Sequence, residues 1–391
     1  MPEHLSKKLI SWASILEPNT REQAISTASM PFVYPHLALM PDAHLGKGAA
    51  VGSVIPTLRA IIPAAVGMDI GCGMTAVRTQ WNAEQMRAAG PLSRLREAIE
   101  ARIPLSAGVY NTTETRTAGH AADELADEAA RIDLHPDHFV ADWRLQLGSL
   151  GSGNHFIEVS SDETGTVWLF LHSGSRGIGN KIAGHHIAVA RKLAERWWLD
   201  LPGPDLAYLV QDTDEFWRYV RDLRWAQSFA LANREEMMDR VIVAISEHMS
   251  EQVQPAETIN CHHNFTEHEH HFGKNMWVSR KGAIRAGDGE PGLIPGSMGT
   301  ASYVVVGRGN PFSLCSAPHG AGRNHSRSAA RKKFTHDDLE TAMTGIEYRH
   351  TDAFIDELPA AYKPIDQVMA DSADLVQIRH TLRQLVNVKG D

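Results

Sequence analysis

The sequence predicts an α+β fold in a single domain spanning residues 1–391. Three observations lead there. The chain is 43% hydrophobic over 391 residues, enough for a large core. Amphipathic helical stretches and short β-like runs both occur, but not in the regular alternation of a parallel βαβ sheet. No internal repeat is visible, and no linker is long enough to divide the chain.

The helices read from periodicity. Residues 83–103 and 180–199 mix aliphatic and charged residues at helical spacing, the second ending in Trp197–Trp198. The longest helix is predicted from about Asp214 to Met249. Phe216, Tyr219, Val220, Leu223 and Ala226 recur there near i, i+3, i+4 and i+7. Pro202 and Pro204 separate the second helix from the third. β-like runs lie at 74–79, 155–159, 167–171, 276–279 and 303–307, and the polar stretch 106–137 reads as a loop holding one helix.

Composition narrows the function. There are 38 Lys and Arg against 47 Asp and Glu, a formal net charge of -9, which excludes a nucleic-acid binder working by bulk charge. Nucleic acid would have to be held by a local patch. No run of about 18 apolar residues predicts a membrane span. The opening MPEHLSKKLISW lacks the apolar core of a signal peptide. The three cysteines, Cys72, Cys261 and Cys315, are too few and odd in number for a disulfide framework. A cytoplasmic protein is expected. Twenty-one histidines are many for this length, and where they sit beside Asn, Gly and Cys, metal or proton chemistry becomes plausible.

The chemistry gathers in a series of short segments: PDAHLGKG (41–48), GMDIGCGM (67–74), LGSLGSGNHFIEV (147–159), LHSGSRGIGN (171–180), INCHHNF (259–265), SRKGAIRAG (279–287), IPGSMGT (294–300) and APHGAGR (317–323). Nearly all join glycine to His, Asp, Cys, Asn or a cation. Glycine lets backbone approach a ligand closely or take positive φ. One such segment alone is a tight turn; a whole series suggests a site built from loops on a rigid scaffold.

Asp69, Cys72, His155, His172 and His263 offer a carboxylate, a thiolate and three imidazoles, enough for one or two divalent ions. By softness alone Cys and His favour zinc. No CxxC or HExxH spacing supports a zinc finger or a zincin, and Cys72 by itself reads equally well as a small buried apolar residue. PGSMGT and HGAGR can present backbone N–H groups to phosphate. A Walker GxxxxGK[ST] loop, a GxGxxG opening a βαβ unit and a K-x-D-G ligase motif are all missing. A covalently carried nucleotidyl group would therefore sit more naturally on histidine. Arg323, Arg327, Arg331, Lys332 and Lys333, with Arg176 and Lys181, could hold RNA phosphates or simply form solvated faces. A helix over 324–333 would place 327 and 331 on one face.

Taken in order, MPDAHLGKG, DIGCGM, GNHFIE, LHSGSRG, HHN, RKGA, IPGSMG, HGAGR and the terminal VKG resemble the RtcB family of RNA-splicing and RNA-repair ligases. The resemblance covers nearly the whole chain. It implies the distinctive RtcB-type α+β fold with glycine-rich active-site loops, two Mn2+ per chain, and GTP as co-substrate. Asp69 and His155 correspond to ligands of one manganese, His172 and His263 to ligands of a second, and Cys72 to the bridging thiolate. His319 corresponds to the histidine that becomes guanylylated. Asn154, His155, Phe156, Ile157 and Glu158 correspond to part of the guanylate pocket. His263, Asn264, Pro295, Gly296, Ser297, Met298, Ser302, His319, Gly320, Ala321 and Gly322 match further parts, and Lys389 matches the lysine that contacts guanine. Arg176, Arg323, Arg327 and Arg331 are candidates for RNA contact.

The implied reaction joins an RNA 3'-phosphate or 2',3'-cyclic phosphate end to a 5'-hydroxyl end, with an archease-like activator as a further partner. The alternative is a two-metal phosphohydrolase acting on RNA ends, which would need no nucleophilic histidine; a non-catalytic RNA binder would need no bridging thiolate. The sequence departs from the family pattern in a shorter 106–137 region, in Pro364 where an acidic residue is usual, and in Asp391 after the Lys-Gly at which such chains commonly end. No motif residue is lost, and an active enzyme is expected.

Overall fold

The strand Thr166–Ser173 shows how the core is divided. Side chains alternate across a strand. Trp168 and Phe170 enter one apolar cluster, with Met40, Val54, Met74 and Met276. Val167, Leu169 and Leu171 enter another, against Met237, Val241 and Ile245 of the long helix. The computed structural model describes residues 2–391. In it these two clusters separate three layers: a six-stranded sheet, a seven-stranded sheet, and helices on the far side.

The six-stranded sheet runs Glu3–Ser6, Leu9–Ser11, Leu37–His44, Val51–Thr57, Lys274–Lys281, Asn264–His271. Its pairs are antiparallel except Leu9–Ser11 with Leu37–His44. The seven-stranded sheet runs Glu257–His262, Gly73–Asn82, Thr166–Ser173, Phe156–Ser161, Val376–Val388, Ser302–Gly307, Pro291–Ile294. The mixture of helices and mainly antiparallel sheets is the α+β class that the sequence predicts.

The register of the second sheet decides where function can sit. Gly73 pairs with Ser173 and with His262, Phe156 with His172, and Val388 with Ile157. Two strand starts and three strand ends therefore share one rim. Cys72, His155, His263 and Lys389 lie one residue beyond those termini, and His172 is the penultimate residue of its strand. Segments scattered over more than 300 positions reach one place because antiparallel strands present alternate ends to the same edge.

The helix Asp214–Met249 is where periodicity places it. Thr213 caps it by accepting from the Phe216 amide, Asp214 and Glu215 face its N-terminal dipole, and Ser250 ends it in the left-handed conformation. The predicted 83–103 helix is two, Ala83–Ala89 and Leu92–Arg102, broken at Gly90–Pro91 because proline disfavours helix in the residue before it. The 180–199 helix runs Arg176–Arg196, the 106–137 loop holds the helix Arg116–Arg131, and the 324–333 helix is the shorter Arg327–Lys333. Sequence reading misses Leu37–His44, Val51–Thr57, Glu257–His262, Asn264–His271 and Val376–Val388. The first two are buried along nearly their whole length and show no alternation; the others are dense in polar residues. Among the described residues no helix is long and apolar enough to cross a membrane.

Met237, fully buried between the long helix and the sheet, tests this packing. Met237→Ala is expected to destabilise the protein by roughly 2–5 kcal/mol in denaturant unfolding. A loss under 1 kcal/mol would mean that helix and sheet are not packed as described.

Candidate metal centre and nucleophile

At the shared rim five donors form a row. Asp69 Oδ2 lies 3.1 Å from His155 Nε2, and Cys72 Sγ lies 3.4 Å from His155 Nε2 and 3.3 Å from His172 Nε2. His172 Nε2 lies 2.8 Å from His263 Nε2. Cys72, His155 and His172 are buried and mutually within 4.8 Å. Four segments set the five donors, since Asp69 and Cys72 share one turn. Asp69 Oδ1 accepts from the Ser175 amide at 2.9 Å, and the His263 amide donates to Cys72 O at 2.8 Å. Gly174 is required beside Asp69, since a Cβ there would lie 2.3 Å from both carboxylate oxygens.

The ring orientations bear on what this row can hold. His172 Nδ1 lies 3.1 Å from Asn154 O and must carry the proton to donate, which leaves its Nε2 lone pair facing Cys72. His155 Nδ1 has two suitors, Leu150 O at 2.9 Å and Arg176 Nη1 at 3.0 Å. It can donate to the first or accept from the second, not both. Donation to Leu150 O turns the Nε2 lone pair toward Asp69 and Cys72, ready for a cation; acceptance from Arg176 leaves Nε2–H to donate to Asp69. His263 Nδ1 is buried without a partner. Burial is the first cause that pulls His155, His172 and His263 below the ordinary imidazole pKa, and it keeps them neutral. For Asp69, burial opposes ionisation, but His155 and Arg176 outweigh it and hold the carboxyl well below its usual range. Burial and the Asp69 carboxylate push the Cys72 thiol well up, so its thiolate needs a positive partner. A row of neutral imidazoles, a carboxylate and a thiol, three of them mutually close, fits divalent metal.

His319 stands next to this row, its ring centroid 4.6 Å from that of His263. It follows the strand Ser316–Pro318, which pairs with Ala283–Arg285. Its Nδ1 lies 2.6 Å from Asp42 Oδ2, and its amide donates to the same oxygen at 3.1 Å. Asp42 is fully buried. The carboxylate therefore accepts a hydrogen bond from Nδ1–H and leaves the Nε2 lone pair free, as the aspartate of a catalytic triad does for its histidine. The close approach depends on Gly322, at φ +74°, where a Cβ would lie 2.1 Å from Asp42 O.

A cavity of about 340 Å³ opens over both features. Asp69, Cys72, Asn154, Phe156, Glu158, His172, His263, Asn264, Pro295–Met298, His319–Gly322, Arg323, Arg327 and Lys389 line it. Ile157 does not; it belongs to the apolar cluster on the opposite face of the sheet. Ser302 lies behind the wall, its hydroxyl accepting from the Gly296 amide at 3.3 Å. The Ser297 amide donates to Thr300 Oγ1 at 2.7 Å. These two amides are thus already engaged, and PGSMGT is not the open nest of N–H groups that its sequence suggests. Glu158 is buried with Oε2 unpartnered, and burial pushes its pKa up to about 8 despite Lys389 nearby.

The cations at the cavity's edge are paired. Glu357 accepts from Arg323 at 3.1 Å, Arg327 at 2.6 Å, Tyr362 at 2.6 Å and Lys389 at 3.3 Å. Asp356 takes Arg327 at 2.9 Å and Arg331 at 2.8 Å. Arg176 sits inward, at His155. Lys181, Lys332 and Lys333 are on the surface. Asp42, His44, Lys47, Lys281 and Glu357 are site residues that sequence reasoning assigned no role. For the first three the signal was PDAHLGKG, a segment seen but left without a partner. Lys281 lines the cavity with its Nζ 3.0 Å from Ala64 O, and burial lowers its pKa to about 8.

Comparison with known proteins gives the family. A family profile described as tRNA-splicing ligase RtcB matches residues 23–390. The chain belongs to the RtcB family. It is 45% identical to the RNA-splicing ligase RtcB of Escherichia coli strain K12, over 96% of this chain and 95% of that protein. It is 29% identical to the tRNA-splicing ligases RtcB of Pyrobaculum aerophilum, over 93% and 89%, and of Thermococcus kodakarensis, over 90% and 87%. The RtcB relatives thus span this chain almost end to end, archaeal members included.

Gly174→Ala tests the donor row. The new methyl would force Asp69 out of position, so Co2+ or Mn2+ affinity should fall by at least tenfold with the fold intact. Unchanged metal binding by calorimetry would show that Asp69 is not held as described.

Proposed function

We propose that the chain is an RNA ligase that joins RNA 3'-phosphate or 2',3'-cyclic phosphate ends to 5'-hydroxyl ends, using GTP, in tRNA splicing or RNA repair. The observation that carries this reading is the single free imidazole nitrogen of His319, held by buried Asp42 against a row of metal donors. A two-metal phosphohydrolase, whose nucleophile would be a metal-held water, does not require a histidine so prepared. The names of the relatives support RNA as the substrate.

His319 Nε2 attacks the α-phosphorus of GTP and pyrophosphate leaves, giving a phosphoramidate. Asp42 keeps the proton on Nδ1 before attack and balances the ring's charge after it. The RNA 3'-phosphate displaces His319 and becomes an RNA–pp–G end; a 5'-hydroxyl then attacks that end, GMP leaves, and the strand is sealed. A cyclic phosphate is opened first. Two Mn2+, one on Asp69 and His155, one on His172 and His263, with Cys72 shared, would offset the charge on phosphoryl oxygens. The row supports that division, since Cys72 stands midway between its two halves. The manganese itself is inferred from the family; the donors would also take zinc. Lys281 and Lys47 supply further positive charge in the cavity. Glu158 suits the guanine edge, whose N1–H and N2–H both donate. An archease-like protein is the expected activator.

Incubation with α-labelled GTP and Mn2+ tests the reading. The wild type should become covalently labelled, His319→Ala should not, and Asp42→Ala should label roughly 10²–10⁴-fold more slowly. RNA-end turnover without any adduct would establish the phosphohydrolase instead.

The shared thiolate makes a second prediction. Cys72→Ala should lose affinity at both metal sites together, and His172→Ala mainly at one. Full double occupancy of Cys72→Ala in a metal titration would remove the bridging role.

Glu158 makes a third. In the free protein, with its pKa near 8, it is protonated at pH 7. Accepting two N–H groups from guanine requires the carboxylate. GTP binding at pH 7 should therefore release up to one proton, and affinity should rise with pH until about 8, then level off. Calorimetry in buffers of different ionisation enthalpy reads the proton directly; Glu158→Gln should abolish the release. Proton-neutral binding by the wild type would show that Glu158 does not meet the base.

A further inference from the structure

We infer that Asn233 and Arg234, neighbours at the middle of the helix Asp214–Met249, are the positioning residues that hold the metal donors in register. Both are fully buried. Resting on the metal-centre reading above, the inference concerns residues that touch neither substrate nor metal.

The contacts of Arg234 land beside the donors. Nη1 donates to Gly71 O at 2.8 Å, next to Cys72, and to Ser173 O at 3.2 Å, next to His172. Nη2 lies 3.1 Å from His262 Nδ1, next to His263, and Nε donates to Asn260 Oδ1 at 3.1 Å. One guanidinium thus joins three loops that each carry a donor. Asn233 reaches the fourth. Its Oδ1 accepts from the amides of Gly148 at 2.8 Å and Ser149 at 3.2 Å, and its Nδ2 donates to Ser149 O at 3.2 Å and Gly174 O at 3.1 Å. The next residue, Leu150, supplies the carbonyl that faces His155 Nδ1.

Two features separate this from ordinary core filling. A buried arginine normally faces a carboxylate. Arg234 has no ion-pair partner among the described residues; carbonyls, an amide and an imidazole surround it. Moreover, its planar fork reaches four partners in divergent directions at once, which the three donors of a compact lysine ammonium cannot. The long helix is also the most securely packed element available. It touches Leu95 and Ile99 on one side and the helices Arg116–Arg131 and Arg176–Arg196 on another. Donor loops anchored to it inherit its rigidity.

Co2+ titration of the full chain tests the inference, since Co2+ reports ligand geometry through its d–d bands and thiolate ligation through its near-ultraviolet charge-transfer band. Arg234→Lys should fold, by circular dichroism, yet bind Co2+ roughly 10–100-fold more weakly, as loss of an outer-shell partner does, with both bands altered. Asn233→Ala should weaken chiefly the ion on the Asp69–His155 side and lower the tight stoichiometry from two to one. Trp225→Phe, equally buried in the same helix, should reduce thermal stability and leave affinity and bands unchanged. Wild-type affinity and spectra in both Arg234→Lys and Asn233→Ala would overturn the inference. Should Arg234→Lys fail to fold, Asn233→Ala decides alone. A wild type with no more Co2+ binding than Cys72→Ala would refute the metal-centre reading itself, and this inference with it.

Discussion

The peptide His262–His263–Asn264 is the point on which the site depends. It carries the chain from the last residue of one sheet to the first of the other. On one side the His263 amide donates to Cys72 O; on the other, His263 O accepts from the amides of Gly282 at 2.8 Å and Ala283 at 3.1 Å. Asn264 repeats the pattern. Its O accepts from Gly71, its Nδ2 donates to Asp69 O, and its Oδ1 accepts from Gly282. One crossover therefore fixes the DIGC loop, which bears the thiol and carboxylate, against the strand Ala283–Arg285, whose partner leads into His319. The donor row and His319 share a single rigid reference, which is what the in-line chemistry proposed for them would demand.

The two sheets have different tasks. Strand termini of the seven-stranded sheet supply the donors and Lys389. The six-stranded sheet supplies Asp42, through a register shift in Leu37–His44 that turns the end of the strand toward His319. Neither sheet alone holds a complete arrangement, and the cluster between them that buries Met40, Met74 and Phe156 sets their separation. Stability of the core and geometry of the site are the same packing problem.

Much of this was legible in the sequence. The motif segments, the long helix and the α+β class were readable because each has a local signature: glycine beside a polar residue, or a 3.6-residue period. What could not be read was pairing. Asp42 lies 277 positions from His319, and nothing near PDAHLGKG names its partner. Glu357 and Asp356 carry no motif, yet they engage the arginines that looked free. Arg327 and Arg331 do fall one turn apart on a helix, as expected, but the face they share is turned to Asp356. Arg234 lies in the long helix with no motif around it, and nothing in the sequence marks it as buried. The Val376–Val388 strand was hidden because its charged outer residues and bulged register erase a clean alternation.

The pairing of the cations bears on how an acidic protein could recognise RNA. Exposed arginines on a chain of net charge -9 would attract any polyanion weakly. Here Arg323, Arg327 and Lys389 are satisfied by one buried carboxylate, so each is fixed in place before ligand arrives and loses little side-chain freedom on binding. A phosphate entering the cavity would have to share those donors with Glu357, and simple ions gain little by doing so. A nucleotide bound as proposed would gain more, because it would bring a base for Glu158 and a phosphorus atom within reach of His319. Burial of Glu357 therefore favours composite ligands over bare charge. The selectivity would come from the number of contacts made together, not from the strength of the field outside.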